Sequence, residues 1–274
     1  MKSFAKLGFL SAVTSALLGM AASSWAQTSP TNKDDDWHFT ASAGAGTVPK
    51  YLGSNQQHGV LGLGLSASKG NFYVGTLPGA GIPGSAAPVA GLGYNFYSGG
   101  NCRATAGVTP SMGRRQSDAD RLNGMGDTKV GINAFANASC NTEWLRLNGT
   151  VQTDVSGKKH GTSLEVEALA RVLSHASGLN VYAGPGLAWG DSKFNQTQFG
   201  VSSAQSSSSS LPAYSAQKGV IAPYLVLGME MPIDKHWSIN AGIKAGSLRG
   251  SAAESPLTQS KTQKAGVVMA TYAF

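Results

Sequence analysis

The chain has 274 residues, of which 36 are glycine, and it carries 21 Lys and Arg against 14 Asp and Glu, for a formal net charge of +7. Hydrophobic residues make up 41% and charged residues only 13%, which excludes an intrinsically disordered chain, because such chains are poor in apolar residues and dense in charge. The high glycine content and the lack of long stretches with a 3.6-residue period exclude a helical bundle as well.

The first residues have the pattern of a secretory signal peptide. Two lysines precede an apolar run over 7–20, and Ser24 and Ala26 place small residues where a signal peptidase reads the chain. We predict a signal peptide over 1–26, cleaved near Ala26, and export into the envelope of a Gram-negative cell. An uncleaved anchor is the alternative, but the apolar run is shorter than the roughly 20 residues that a spanning helix needs. Residues 27–36 are then predicted to form a periplasmic N-terminal tail.

The rest of the chain alternates between apolar and polar residues, which is typical of β-strands with one face in an apolar environment. From 164 to 172 the even positions are all apolar, whereas the odd positions include Glu165 and Glu167. The same alternation recurs over 145–152 and 237–244. A soluble β-sandwich would produce it too, with its apolar face turned inward. The signal peptide favours a membrane barrel instead, with apolar side chains outside and polar ones inside.

About twelve segments between turn signals show this pattern, and they predict an all-β fold, a transmembrane antiparallel up-and-down β-barrel over residues 37–274. The predicted strands are 37–47, 59–68, 71–77, 87–97, 102–112, 127–138, 143–154, 161–173, 178–188, 218–231, 236–247 and 261–274. Ten strands is the alternative, because the first four segments are rich in glycine and weakly marked. Tight turns alternate with long connections, which predicts short periplasmic turns on one side and long outer loops on the other.

The last predicted strand ends in Tyr272 and Phe274, which lie on its apolar face. A terminal aromatic residue on an amphipathic strand resembles the C-terminal signature of outer-membrane β-barrels. This resemblance implies that the barrel-assembly machinery recognises Tyr272 and Phe274. We therefore expect the protein to lie in the outer membrane, in contact with lipid and lipopolysaccharide.

The two cysteines provide a check on the predicted register. Cys102 begins the fifth predicted strand and Cys140 follows the sixth, so a hairpin between these strands would place the two residues opposite each other at the periplasmic end. A disulfide between them is predicted, since the periplasm is oxidising. Two unpaired thiols are the alternative.

Three arginines lie in one predicted outer loop. Arg114, Arg115 and Arg121 are predicted to contact lipopolysaccharide phosphates, because a guanidinium group pairs bidentately with phosphate. A merely solvated loop is the alternative. The serine tract over 206–210, in another predicted outer loop, is interpreted as a flexible connection.

Four short motifs follow one another along the chain. They are Pro49-Lys50-Tyr51-Leu52-Gly53-Ser54, Leu122-Asn123-Gly124-Met125-Gly126-Asp127, Phe199-Gly200-Val201 followed by Leu211-Pro212-Ala213-Tyr214, and Glu254-Ser255-Pro256-Leu257. Together with the final Phe274, they resemble the successive landmarks of the MipA/OmpV family of MltA-interacting protein-like outer-membrane proteins. Ser251 and Glu254 depart from the family pattern, in which Asp is more common at these positions.

The resemblance implies an outer-membrane barrel that acts as a scaffold. In this role the barrel links a murein lytic transglycosylase to a bifunctional penicillin-binding protein, a peptidoglycan synthase, and so couples murein cleavage to synthesis. Other members of the family have been linked to adhesion, osmotic response and antibiotic susceptibility. A small-solute outer-membrane channel, or a surface barrel for adhesion or stress response, is therefore the alternative. For a scaffold, the tail over 27–36 is the expected docking element, because the predicted periplasmic turns are short.

The predicted lumen is polar and carries charges of both signs. Its charged residues are Arg146, Asp154, Glu165, Glu167, Arg171 and Lys244. A barrel of around twelve strands can be narrow enough for side chains to fill it. Mixed charges therefore favour internal salt bridges over a selective channel, and the scaffold ranks above the channel.

Catalytic, metal-binding and nucleic-acid functions find little support in the sequence. His160 has Ser156, Ser163 and Asp154 nearby, as an acyl-transfer site would require, but two flanking lysines favour a solvated basic loop. The acidic run over 34–36 lacks the spaced ligands of a calcium loop, and no phosphate-binding glycine motif occurs. Basic residues with interleaved aromatics form no stripe. We expect no enzyme activity, no metal or cofactor, and no nucleic-acid partner.

Overall fold

The structure is a computed structural model that describes residues 36–76, 90–111 and 113–274. The predicted signal peptide and residues 27–35 of the predicted tail lie outside the described residues. The strands are β1 His38–Pro49, β2 Gln57–Lys69, β3 Phe72–Thr76, β4 Ala90–Gly99, β5 Cys102–Ser111, β6 Gly131–Asn141, β7 Leu145–Asp154, β8 Thr162–Ser174, β9 Asn180–Gly190, β10 Gly219–Pro232, β11 Trp237–Ser247 and β12 Thr262–Ala273. Each predicted strand overlaps one of them, so the prediction of about twelve strands is confirmed and the alternative of ten is wrong.

The strands form one closed antiparallel barrel. Each strand pairs with its neighbours in sequence, and β1 pairs with β12 to close the sheet. The closing register runs from Thr40 opposite Ala273 to Thr47 opposite Gly266. A closed sheet hydrogen-bonds its strands on both edges, which is the condition for a β-structure to cross the hydrocarbon core of a bilayer.

The two ends of the barrel differ in the length of their connections. At one end, which we call the short-turn end, strands are joined by tight turns such as the one between Lys69 and Phe72. The other, the long-loop end, carries three helices and two 3-10 turns within the described residues. These are α1 Ser192–Phe199, α2 Ser203–Ser208, α3 Gly250–Glu254, and the 3-10 turns Gln116–Asp118 and Asp120–Leu122. None of the helices in the described residues is long and apolar enough to cross a membrane.

The outer wall of the barrel is apolar at alternate positions. On β2, Leu61, Leu63 and Leu65 are 79%, 90% and 72% exposed, whereas Val60 is 2% exposed. Successive side chains of a strand point to opposite faces, so these leucines form a row on the outside. A soluble protein rarely exposes so much contiguous apolar surface to water, whereas a lipid-facing wall of a membrane barrel requires it. The predicted apolar outer face is confirmed.

Exposed aromatic side chains gather around the short-turn end. They are Trp37, Phe39, Phe72, Phe96, Tyr97, Trp144, Trp237 and Phe274. Tyr272 packs between Trp237 and Phe274, with ring centroids 5.0 and 4.9 Å away. Rings of this kind form girdles where the hydrocarbon of the membrane meets water. Tyr272 and Phe274 belong to this girdle, and their recognition by the assembly machinery stays a prediction.

The interior of the barrel is less polar than predicted. Three inward aromatic rings each lie directly opposite a glycine on the neighbouring strand: Tyr73 with Gly93, Phe135 with Gly107, and Tyr224 with Gly186. A Cβ atom at any of these glycines would overlap the ring, so the close approach requires glycine there. Val226, Val267 and Met269 are also buried inside. The prediction of a polar interior is therefore wrong for part of the wall, where glycine makes room for large apolar side chains.

Cys102 and Cys140 face each other across β5 and β6 at the short-turn end. The structure joins them by a disulfide, and their sequence separation is 38 residues. The bond therefore ties the start of β5 to the end of β6 and encloses the loop between them. This is the pairing that the predicted register implies.

Candidate functional site

Four loops of the long-loop end, over 50–56, 113–130, 191–218 and 248–261, fold against one another. Their buried apolar side chains form one cluster, which we call the plug: Tyr51, Ala119, Leu122, Met125, Val201, Leu211 and Leu257. Loops usually run over the surface of a protein and are mobile. A buried cluster built only from loop residues therefore indicates a fixed lid.

The same loops also reach down into the barrel. Phe199 and Leu248, which are 0% and 1% exposed, belong to an apolar cluster with Val60 of β2 and Val267 of β12. Tyr214 packs against both this cluster and the plug. The plug is thus anchored to the inner face of the wall and covers the lumen from the long-loop end.

Tyr51 is the polar centre of the plug. Its hydroxyl donates to the carbonyl oxygen of Leu257 at 2.9 Å and contacts Oε1 of Gln259 at 3.0 Å. Burial raises the pKa of Tyr51, and the charges of Arg121 and Arg114 partly oppose that rise. The phenol therefore stays protonated at neutral pH and ties the first loop of the chain to the last.

The structure gives different surroundings to the three arginines predicted to contact lipopolysaccharide. Arg121 donates from Nε and Nη2 to the carbonyl oxygen of Pro256, at 3.1 and 2.5 Å. Arg114 donates from Nη1 to the carbonyl oxygen of Gln198 at 3.0 Å, and desolvation lowers the pKa of its guanidinium. Only Arg115 is exposed. Two of the three arginines therefore hold loops together.

The serine tract is not a flexible connection, so that interpretation is wrong. Most of it belongs to α2, which begins with a capping box between Ser202 and Gln205. The Gln205 amide donates to the carbonyl oxygen of Met125 at 2.7 Å, and Ser208 Oγ donates to that of Gly124 at 2.7 Å. Serine is a weak helix former, and these contacts with a distant loop stabilise the helix.

The four motifs of the family resemblance meet in this one place. They contribute Tyr51 from the first motif, Leu122 and Met125 from the second, Val201 and Leu211 from the third, and Leu257 from the fourth. Ser255 of the fourth motif also donates from Oγ to the carbonyl oxygen of Phe199, at 2.6 Å. The motifs are thus the parts of the long loops that build the plug.

Beneath the plug, an ion-pair cluster crosses the lumen. Lys244 Nζ forms a salt bridge with Glu165, lies 4.0 Å from Glu167, and sits 3.6 Å from the centre of the Tyr224 ring. The Tyr224 hydroxyl donates to Glu167 Oε1 at 3.1 Å. The internal salt bridges predicted for this part of the lumen are confirmed.

A second ion pair crosses the lumen closer to the short-turn end. Arg146 binds Glu230 in a bidentate manner, with Nη1–Oε1 and Nη2–Oε2 distances of 2.6 and 2.9 Å. The guanidinium of Arg146 also lies 3.3 Å from the centre of the Tyr182 ring. Sequence reasoning missed Glu230 and Tyr182, although both lie on the inward parity of their strands.

Asp154 is predicted to line the lumen. At the end of β7, it accepts hydrogen bonds from the backbone and side chain of Ser156 in the following loop.

On the opposite side of the lumen, uncharged polar side chains bond one another. Asn137 Nδ2 donates to Asn148 Oδ1 at 2.7 Å and to Thr150 Oγ1 at 2.8 Å, and Thr105 Oγ1 donates to Asn95 Oδ1 at 2.6 Å. Large inward side chains all around the wall are less than 10% exposed: Tyr73, Phe135, Arg146, Glu165, Tyr182, Tyr224 and Met269. Water in an open channel would reach such side chains, so this lumen is packed.

His160 does not lie in a solvated loop, and that interpretation is wrong. The residue is 7% exposed, and its Nδ1 lies 2.9 Å from Ser111 Oγ. Asp154 accepts a hydrogen bond from the His160 backbone at 3.2 Å and, within the described residues, no carboxylate bonds its ring. A catalytic triad needs a third group to orient the base, which this arrangement lacks.

The described ranges likewise contain no group of three or more His, Cys, Asp or Glu able to hold a metal ion.

Comparison with solved structures finds outer-membrane proteins of low similarity. The outer membrane channel DcaP of Acinetobacter baumannii is 8% identical, with 87% of this chain and 97% of that chain covered and a TM-score of 0.39. OmpT of Vibrio cholerae is 8% identical, with coverages of 87% and 97% and a TM-score of 0.38. The anion-selective porin from Comamonas acidovorans is 11% identical, with coverages of 87% and 99% and a TM-score of 0.37.

Comparison by sequence is more specific. A search of curated protein sequences finds no match to this chain. Residues 41–274, however, match the model of a family described as MltA-interacting protein MipA. The match begins within β1, spans every later strand and includes each of the motifs that build the plug. With its closed barrel and apolar outer wall, the protein is an outer-membrane β-barrel, and the chain belongs to the MipA family.

Proposed function

We propose that this protein is a non-conducting outer-membrane scaffold that links a murein lytic transglycosylase to a bifunctional penicillin-binding protein. The observation that carries the proposal is the packed lumen. Two ion-pair clusters, anchored by Lys244 and Arg146, cross the barrel, and the plug covers it from the long-loop end. These features suit a rigid platform better than a path for solutes. The family description, which names an interaction with the transglycosylase MltA, supports the choice of partner.

The partner surface of such a scaffold lies on the short-turn end, where murein enzymes work. The turns there are short, and their exposed groups include Trp144, which is 65% exposed and follows Glu143. The tail over 27–36 is therefore the main docking element in this proposal. It precedes β1 directly, so it starts from the same end of the barrel as the turns.

Capture of envelope proteins on the refolded, immobilised barrel tests the scaffold. We expect a lytic transglycosylase and a penicillin-binding protein to remain bound after a salt wash, and to be lost when residues 28–35 are deleted. A Trp144→Ala variant is the matched control at the same end. Recovery of neither enzyme, from an extract shown to contain both, contradicts the proposal.

Conductance in planar bilayers separates the scaffold from a small-solute channel. We expect the inserted barrel to stay silent, since its inward side chains leave little room for ions. A second recording with Lys244→Ala and Glu165→Ala together tests whether removing one cluster opens a path. Steady conductance of the unaltered barrel, well above that of a closed control barrel, contradicts the non-conducting proposal.

The proposal has two further parts, which concern export of the chain and its contact with lipopolysaccharide. Its signal peptide is cleaved near Ala26, and Arg115, the exposed member of the arginine group, contacts lipopolysaccharide phosphate from the long-loop end. N-terminal sequencing of the protein purified from Gram-negative outer membranes tests the first part. Lipopolysaccharide binding by an Arg115→Gln variant tests the second, with Lys193→Gln as a control on another loop. Unchanged binding by the Arg115 variant contradicts the contact.

A further inference from the structure

A cleft of ≈ 500 Å³ opens on the outer surface of the plug. Three loops line it, and its polar side chains are Asp120, Arg121, Asn123, Ser208, Ser209, Ser210 and Gln259. Leu211 lies behind this lining and is only 4% exposed, because it packs in the plug. The volume falls in the range of about 300–1,000 Å³ that is usual for small-molecule sites. Neither the scaffold role nor the family motifs explain it.

The walls of the cleft are fixed in place without a ligand. Gly124 has a φ of +82°, and a Cβ atom there would overlap the backbone of Ser208, so only glycine lets the second motif pack against α2. Ser208 Oγ then donates to the Gly124 carbonyl oxygen at 2.7 Å. Arg121 secures the other wall through its two bonds to Pro256. A preformed site avoids the entropy cost of ordering loops on binding.

Several polar groups of the cleft are left for a ligand. In the part of the chain that the structure describes, the side chains of Asp120, Asn123 and Ser210 make no hydrogen bond to protein. A carboxylate accepts hydrogen bonds, whereas an amide and a hydroxyl both donate and accept them. The cleft therefore offers donors and acceptors side by side, rather than groups of one kind.

This chemistry discriminates between classes of ligand. An anion is disfavoured, because the single cation, Arg121, uses two of its nitrogens on Pro256 and has the Asp120 carboxylate beside it. An apolar ligand would bury the polar groups without hydrogen-bond partners, which costs free energy. A sugar carries hydroxyls that both donate and accept hydrogen bonds, which matches this mixed set of groups. We propose that this cleft binds a neutral oligosaccharide presented on the outer side of the membrane.

Isothermal titration of the refolded full-length barrel tests the proposal. The probes are short gluco-, galacto- and manno-oligosaccharides, with inorganic phosphate as the anionic comparison. The detergent must be an amine oxide, since a maltoside or glucoside would itself present sugar to the cleft. We expect at least one neutral oligosaccharide to bind with a Kd of about 1 mM or tighter. Binding of none of them, or tighter binding of phosphate than of any sugar, overturns the proposal.

A pair of serine variants locates the site. Ser210→Leu places an apolar side chain in the cleft and should weaken binding at least about tenfold. Ser203→Leu alters an equally exposed serine of the same loop outside the cleft, and its affinity should match that of the unaltered protein. Equal affinity in both variants overturns the proposed place of binding. Circular dichroism before titration verifies that both barrels have folded.

A last comparison identifies the source of the sugar. The delipidated oligosaccharide of the cell's own lipopolysaccharide is titrated before and after enzymatic removal of its phosphates. Binding that survives dephosphorylation supports a neutral sugar from the cell's own surface, and binding of only the foreign oligosaccharides supports an external one. Binding that disappears with the phosphates, and occurs with no other probe, overturns the proposal.

Discussion

At the long-loop end of this barrel, apolar side chains such as Leu122, Val201 and Leu257 meet in a plug made of loops. Towards the short-turn end, the lumen is instead crossed by the bidentate pair of Arg146 and Glu230. The plug resembles the core of a small soluble protein, in which close packing and burial supply the stability. In the inner pair, each buried charge is tolerated only because the opposite charge lies beside it.

The two ends should therefore respond differently to substitution. An apolar cluster loses stability in proportion to the side chain removed, whereas a buried ion pair fails when one partner is left alone. Forming the long-loop end costs more conformational entropy, because four separate loops must come together there.

The largest effect is expected at the inner ion pair. Arg146→Leu leaves Glu230 without its guanidinium partner inside the barrel, and breaking a buried pair in this way costs about 3–5 kcal/mol. Urea unfolding of the barrel in phospholipid vesicles, followed by tryptophan fluorescence, measures the change. The double variant with Glu230→Leu should recover most of the loss. Equal stability of the single and double variants contradicts this account of the pair.

In the plug, Leu257→Ala removes a side chain with 0% exposure and should cost about 2–5 kcal/mol. The loss should fall on the loops and leave the wall intact, because Leu257 belongs to the plug cluster. Hydrogen exchange of the loop amides measures it. Leu63→Ala on the lipid-facing wall is the control and should leave loop exchange unchanged. Loops that stay equally protected in both variants would show that the plug does not depend on this packing.

The disulfide at the short-turn end should contribute less. Cys102→Ser removes a cross-link over 38 residues, and the loss expected for such a bond is about 2–4 kcal/mol. The same urea unfolding measures it, and reduction of the unaltered protein should lower stability to the level of the variant. A reductant that also destabilises the variant would point to a cause other than this bond.

The smallest effect is expected at the cap of α2. Ser202 accepts a hydrogen bond from the Gln205 backbone at 3.2 Å, and replacing such a cap by alanine costs about 1 kcal/mol. Faster hydrogen exchange at residues 203–208 of Ser202→Ala measures the loss. Ser203→Ala, one position further, removes no cap and should change exchange little. If both variants exchange alike, α2 is held by its contacts with the loop over 113–130 alone.

The wall of the barrel could be predicted from the sequence almost completely. Alternation over 145–152 or 164–172 is a local signal, and a strand in lipid has few ways to satisfy it other than a closed sheet. Cys102 and Cys140 could be placed opposite each other for the same reason, since a hairpin fixes the register of its two strands. The outward position of Phe274 follows from strand parity as well.

The plug and the packed lumen could not be predicted in the same way. The contact of Tyr51 with Leu257 depends on where whole loops lie, and no local period encodes that. The serine tract was misread because serine favours turns, while the contact of Gln205 with Met125 overrides this preference. The solvated-loop interpretation of His160 fails because it rests on the two lysines beside it in sequence, whereas its ring lies against Ser111 of β5.

The contacts of the plug also set an order for folding. The Tyr51 hydrogen bond joins residues 206 positions apart, and the Arg121 bond to Pro256 spans 135. Closing loops of that length costs entropy that is recovered only after other contacts have brought the ends together. The strand hairpins, whose contacts are local in sequence, are therefore expected to form before the lid. During insertion, strands that are already paired would still leave the apolar side chains of the plug exposed on the outer side. An ordered lid therefore marks the end of assembly.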